Sequence, residues 1–372
     1  MIRVPTTEHS PLSALDELPV HQTTQPIRVV ATSDPRAYER YWFTGQDVDG
    51  AHAFMLGIGF YPNLGTVDGY LAVSTGSTHT TVRAHRILSE DRTDVSVGPI
   101  RAEVVEPFRE WHLTVGDNPQ GLGLDVRWRD TKRAVFHQIP GGPRPGQLPQ
   151  DTSGYETFGR IEGTLTVGGR TIPLAPASTW GSRDHHWGTR NGVGGPAITE
   201  PLRGTYAGQW VEFADFGLWG PRVLFNLGDD RPGAEQVSRV DARLRFDPET
   251  DHLVGGVIHN HLRSGEVKTV TYEQVPHRVI YLRTGLYLGP DGVGEPEHGY
   301  QQGTYLGDDV VVDGATYDVS DPKTRIRIGG FEDHVMRATC DGEETIGLIE
   351  TNNPLLYQMC KHRVNGYRLL ED

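Results

Sequence analysis

The chain has 372 residues, 36% hydrophobic and 9% aromatic, with 46 Gly, 25 Pro and a formal net charge of −14. That apolar content excludes whole-chain disorder, the frequent Gly and Pro leave little room for long helices, and the negative surface repels phosphate, excluding nucleic acid. The length suits two domains or one large all-β unit.

Residues 1–25 read as a loosely attached arm rich in Pro and Thr. Its first twenty residues carry Pro, Glu and Asp where a secretory leader has its apolar run, so no leader is expected. Ser33 and Asp34 as caps, with Pro35 in the first turn, predict a short helix over Ala37–Trp42. Strict alternation predicts half-buried strands at Thr80–Ile87, Leu124–Arg129, Ala242–Phe246 and Arg325–Ile328. Gly168-Gly169, Asp313-Gly314 and Asp341-Gly342 read as hairpin turns. Asn353 and Pro354 open a second predicted helix, Leu355–Val364, which Asn365-Gly366 ends. Many short antiparallel strands with tight turns imply an all-β barrel or sandwich, not a parallel α/β sheet. A division near residue 175 would give domains at 26–175 and 176–372. Cys340 and Cys360 are too few for a disulfide framework and read as reduced thiols of a cytoplasmic protein. No stretch approaches the ~20 apolar residues of a membrane span.

The densest chemistry is Trp180-Gly181-Ser182-Arg183-Asp184-His185-His186-Trp187-Gly188-Thr189-Arg190. On a strand, His185 and Trp187 face one side, and Asp184 and His186 the other. An imidazole beside an indole can position water or a proton against a π-bonded substrate. The plainer reading pairs Arg183 with Asp184 as a buried ion pair and lets the indoles fill core.

The stretch Asp184-His185-His186-Trp187-Gly188 resembles the DHxWG signature of the lipocalin-like hydratase and cyclase superfamily, which includes carotenoid hydratases and fungal lipocalin-like Diels–Alder cyclases. Gly57–Asn63 with Asp68-Gly69-Tyr70 is also reminiscent of its bacterial members. The resemblance implies two tandem lipocalin-like (calycin) barrels or half-barrels with few short helices, around a cavity for a hydrophobic small molecule, with no metal or organic cofactor. It matches His185 and Trp187 to a His-x-Trp pair. It leaves two alignments open for a downstream aromatic-x-acid pair, Trp210-x-Glu212 or Phe213-x-Asp215, both departing from the family's Tyr-x-Asp.

The expected function is a cofactor-independent hydratase, dehydratase or cyclase acting on an isoprenoid-like or polycyclic substrate. Asp184, His185, Glu212 and Asp215 are the candidate catalytic groups; Trp180, Trp187, Tyr206, Trp210, Phe213 and His298 are the candidate substrate contacts. A desolvated carboxyl stays protonated near neutrality and can protonate an alkene. A non-catalytic carrier using the same cavity is the rival. A third reading is a metal-dependent hydrolase built on His259-x-His261 with His186 or His298. Gly292–Tyr300 reads as a rim loop aiming Glu297 or His298 inward, or as a solvated turn. No GxGxxG, GxSxG or P-loop is present, which removes dinucleotide, Ser-hydrolase and NTPase readings.

Overall fold

Aromatic and β-branched residues crowd the segment Ala37–Thr75, and such side chains favour pleated, extended backbone. In the computed structural model, which describes residues 12–141, 149–193, 206–231, 233–249, 252–286, 301–352 and 367–369, that segment forms three long consecutive strands. Chain order runs β1 (Ala37–Asp47), β2 (His52–Tyr61), β3 (Thr66–Thr75), β4 (Thr78–Ile87), β5 (Ser96–Val97) and β6 (Ile100–Glu106). It continues with β7 (Glu110–Val115), β8 (Gly123–Asp130), β9 (Val135–Gly141), β10 (Gln150–Val167), β11 (Arg170–Leu174) and β12 (Thr179–Thr189). The later strands are β13 (Tyr206–Glu212), β14 (Phe216–Trp219), β15 (Arg222–Phe225), β16 (Ala234–Phe246) and β17 (Leu253–Leu262). Last come β18 (Val267–Tyr281), β19 (Val311–Asp318), β20 (Phe331–Cys340), β21 (Glu343–Asn352) and β22 (Tyr367–Leu369).

Strands β13–β18 with β20 and β21 close into an eight-stranded antiparallel barrel, sealed by the β15–β16 pairing. The other sheet, in the order β19-β4-β3-β2-β1-β12-β10-β8-β7-β6-β5, curls into a half-barrel. Its spine is the 18-residue β10, flanked by β12 and β11 on one edge and by β9 and β8 on the other. The chain is therefore all-β, as its alternation and turns predict. Two strands beyond residue 175, β12 and β19, pair into the half-barrel.

Period-two alternation sorts most of the buried apolar side chains into three main cores. Phe43, Leu56, Trp111 and Trp128 fill the inside of the half-barrel. Val211, Phe213, Tyr272 and Met336 fill the barrel. Between the two, Trp42, Tyr70, Phe158, Trp210, Trp219 and Leu348 form a seam, with Trp210 and Trp219 at 5.5 Å between ring centroids.

Three local expectations are corrected. Ala37–Trp42 is the start of β1, not a helix: it pairs on both edges, with β2 and β12, and two ladders outweigh one capping signal. The Asp34 carboxylate instead accepts from the Arg36 backbone and guanidinium in a turn. Arg325–Ile328 is not a strand but the end of helix α1 (Pro322–Ile328). Asp321 caps that helix by accepting from the Lys323 N–H, and Pro322 opens it. Asp313-Gly314 is not a turn; it lies within β19, opposite Arg83 and Val82. Gly168-Gly169 and Asp341-Gly342 do turn hairpins, with φ of 58°, 72°, 50° and 85°.

Cys340 is a free thiol in the barrel core, and burial pushes its pKa up to about 11. The predicted helix Leu355–Val364 and Cys360 lie outside the described residues. Among the described residues no helix is long and apolar enough to cross a membrane.

Candidate functional site

Strand β12 carries the dense cluster, and its register fixes which way each side chain points. His185 lies opposite Tyr41 of β1 on one edge and Tyr155 of β10 on the other. Arg183, His185 and Trp187 therefore share the inner face of the half-barrel, while Asp184 and His186 face the seam, as the alternation predicts.

On the inner face the His185 ring stacks on Tyr41 at 4.1 Å and meets Trp187 edge-on at 5.1 Å and Tyr155 at 5.5 Å. Phe108 leans on Tyr155 at 5.3 Å and Phe136 on Trp187 at 6.3 Å; both Phe rings are exposed. Phe108 has φ 58°, a left-handed conformation that a bulky residue adopts at some cost. The result is a half-buried aromatic recess whose rim shows apolar rings to solvent.

His185 Nε2 lies 3.0 Å from Glu39 Oε1, and Arg92 donates to Glu39 Oε2 at 2.9 Å. Burial raises the Glu39 pKa, but His185 and Arg92 outweigh it and hold the carboxyl below its usual range. An ionised carboxylate only accepts, so Nε2 is the donor in this pair. Behind the recess Arg183 donates twice to Asp130, at 2.8 and 2.6 Å, and its guanidinium lies over the Trp111 and Tyr155 rings. The expected Arg183–Asp184 pair is corrected: consecutive strand residues point to opposite faces, so Arg183 takes Asp130.

On the seam face His186 stands between two carboxylates, with Nδ1 3.3 Å from Asp184 Oδ2 and Nε2 3.3 Å from Glu156 Oε1. His137 Nε2 is 3.0 Å from the same Glu156 oxygen. Burial raises the Asp184 pKa, and Glu156 raises it further. Burial lowers the His186 pKa, but Asp184 and Glu156 outweigh it and leave it raised. Across the seam, Asp333 and Glu350 are register partners on β20 and β21. Burial raises both; Glu350 raises Asp333 further, whereas the bond to Asp333 lowers Glu350, which stands at about 8.

The remaining sequence candidates are not gathered around His185. Glu212 is buried in the seam, paired with Lys132 at 3.1 Å and with Arg160, and accepting from Thr131. Trp210 packs in the same seam, and Trp180 donates to the Ile346 carbonyl at 3.1 Å beneath Arg160. Phe213 stacks on Phe216 inside the barrel, and Asp215 is exposed. Tyr206 begins β13, and His298, with the Gly292–Tyr300 segment, lies outside the described residues. Glu212→Gln is expected to lower stability by about 1.5–3 kcal/mol in chemical unfolding, since it weakens hydrogen bonds to buried cations.

The His259-x-His261 metal reading is not supported by the geometry. His259 bonds Thr269 and His261 bonds Asp241. Among the described residues the grouping with metal-ligand spacing is His137, Glu156 and His186, so His186 joins a different set.

Glu39, Tyr41, Arg92 and Tyr155 were not legible as site residues. Glu39 and Tyr41 fall in the segment read as a helix. The alternation of Glu39, Tyr41 and Phe43 against Arg40 and Trp42 is the signal that marks them.

The fold is similar to that of the AttH-type protein of Nitrosomonas europaea, at 13% identity over 90% of this chain and 98% of that one, with a TM-score of 0.51. Lesser likenesses are kievitone hydratase from Nectria haematococca (11% identity, 87% and 93% covered, TM-score 0.45) and CghA (12%, 86% and 88%, 0.42). No curated protein matches the sequence. Residues 12–215, from the N-terminal 3-10 turn through β12 and β13, match the family described as "Family of unknown function (DUF8625)". The chain, with its His185 recess inside the matched region, belongs to that family.

Proposed function

We propose that the protein is an acid–base lyase or isomerase: a hydratase, dehydratase or cyclase for an apolar, unsaturated small molecule bound in the His185 recess. The observation that carries this reading is the His185–Glu39 pair set among Tyr41, Tyr155 and Trp187. A carrier of greasy ligands has no use for an ionisable pair in its binding wall, because desolvating it costs several kcal/mol. The DHxWG resemblance supports the same His185–Trp187 pair.

In this reading Glu39 holds the tautomer and His185 Nδ1 takes a proton from substrate carbon or from attacking water. The Trp187 and Tyr41 ring faces stabilise a developing cation, by about 2 kcal/mol where water is excluded. Tyr41 is kept neutral by burial, which raises its pKa, so its hydroxyl can donate. Catalysis rests on His185 and Glu39. Asp184 stands behind the strand, Glu212 holds the seam together and Asp215 faces solvent. The free Cys340 thiol supports a reducing, cytoplasmic setting.

The test offers a panel of terpenoid, steroid and polyketide alkenes to the purified protein and reads the products by mass spectrometry. Wild type is expected to give a product one water heavier or lighter, or isomeric. His185→Ala should slow it by about 10²–10⁴-fold and Glu39→Gln by less. Arg245→Ala, on the barrel surface, should leave it unchanged. Ligand retention without chemical change in every protein would establish the carrier instead.

A further inference from the structure

On the face of β12 opposite His185, one glycine brings two imidazoles together. Gly154 of β10 is the register partner of both His137 on β9 and His186 on β12. A Cβ at Gly154 would lie 2.0 Å from His186 Cδ2, so only a bare backbone lets that ring lean across β10. The two imidazole rings come within 5.3 Å at 89°. Glu156, two residues along the same face, meets both.

The spacing matches that of ligands around one metal ion. Atoms bound at about 2.0–2.1 Å to one tetrahedral ion sit ~3.3 Å apart. Glu156 Oε1 lies 3.0 Å from His137 Nε2 and 3.3 Å from His186 Nε2, and the ligand atoms all lie within 4.8 Å of one another. His137 and Glu156 are close, yet Nε2 is not aligned to donate to the carboxylate. Glu156 Oε2 likewise meets no hydrogen-bond partner among the described residues, although the His137 and Glu156 side chains are only 5% and 2% exposed. Buried polar atoms left unpaired are costly and rare, and a cation offsets that cost. Finally, Asp184 at His186 Nδ1 is the outer carboxylate that orients a ligating imidazole.

We propose that His137, Glu156 and His186 bind a divalent transition metal of the Zn²⁺ class, with Asp184 orienting His186. Two nitrogens and one carboxylate oxygen favour Zn²⁺, Co²⁺ or Ni²⁺ over Mg²⁺ and Ca²⁺, which take oxygen ligands. Three protein ligands leave a fourth tetrahedral position for water. The His186 side chain is 16% exposed, which gives the ion an approach. The site faces the seam, where Arg222 of β15 comes within 4.0 Å of Glu156. It is separate from the His185 recess and does not rest on the reading given there.

The experiment strips the full-length protein with a chelating resin and titrates it with Co²⁺, following visible d–d absorption and, by elemental analysis, bound metal. Wild type is expected to bind about one Co²⁺ per chain with a tetrahedral spectrum, displaced by Zn²⁺. His137→Gln and His186→Gln should abolish it, Asp184→Asn should weaken it about 10–100-fold, and His261→Ala should bind as wild type does. A wild type without d–d bands overturns the proposal, as does a His137→Gln protein with the wild-type spectrum. If His186→Gln fails to fold, those two proteins still decide.

Discussion

Asp130→Ala is expected to destabilise the protein by about 3–5 kcal/mol, the cost of breaking a buried ion pair from one side. Arg183 is fully buried; Asp130 accepts two of its bonds as well as the Trp128 indole N–H at 2.8 Å, and a third, longer one goes to the Tyr155 hydroxyl at 3.5 Å. Without Asp130 a guanidinium is left among the Trp111 and Tyr155 rings with no anion beside it. Urea unfolding measures the loss. Replacing both partners together, as Arg183→Met with Asp130→Leu, should recover much of it, because no charge is then stranded. Arg183 supports Tyr155, so the single variant should also loosen the recess and weaken ligand retention. A loss under about 1 kcal/mol would mean that water reaches the pair.

The second large effect is a stability that falls as pH rises from mildly acid to mildly basic. Asp333 and Glu350 both have raised carboxyl pKa values, with Glu350 at about 8 against an ordinary 4.5. The native state then holds protons that the unfolded chain has already released. Their contribution is fully present below the ordinary carboxylate range and is lost as pH rises through about 8. Asp184 faces the pair and pushes both pKa values up, while Arg40 and Arg190 pull Glu350 down. Glu350 alone, raised from 4.5 to about 8, should make stability fall by roughly 4 kcal/mol between pH 5 and pH 9. The double variant Asp333→Asn, Glu350→Gln should be more stable than wild type at pH 8 and show a flatter profile. An equally steep double variant would assign the slope to other groups.

Local pattern carried far in the strands and unevenly at the site. Thr80–Ile87, Leu124–Arg129 and Ala242–Phe246 alternate and all are strands, but only the last two have one buried face. Thr80–His85 is buried on both, so the expected half-buried strand is corrected there. Arg325–Ile328 alternates too, but four residues fit either period, and the cap at Asp321 with Pro322 decides for helix. At Ala37–Trp42 the local cap signal pointed to helix, and pairing partners distant in sequence overrode it. That is where Glu39 and Tyr41 were lost from view.

The sequence by itself determined the all-β class, two of the hairpin turns, and the division of β12 into a His185–Trp187 face and an Asp184–His186 face. These follow from backbone periodicity and turn geometry, which act over a few residues. Only the tertiary structure decided which groups meet across strands. Glu39 reaches His185 from 146 residues away, and Arg183 takes Asp130 from 53 residues away. His137 comes to Glu156 only because β9 runs antiparallel along β10, and Glu212 settles in the seam because Lys132 and Arg160 are there to pair with it. Such pairings depend on strand order and register, which are set by burying three apolar cores at once. No local window of the chain contains that information.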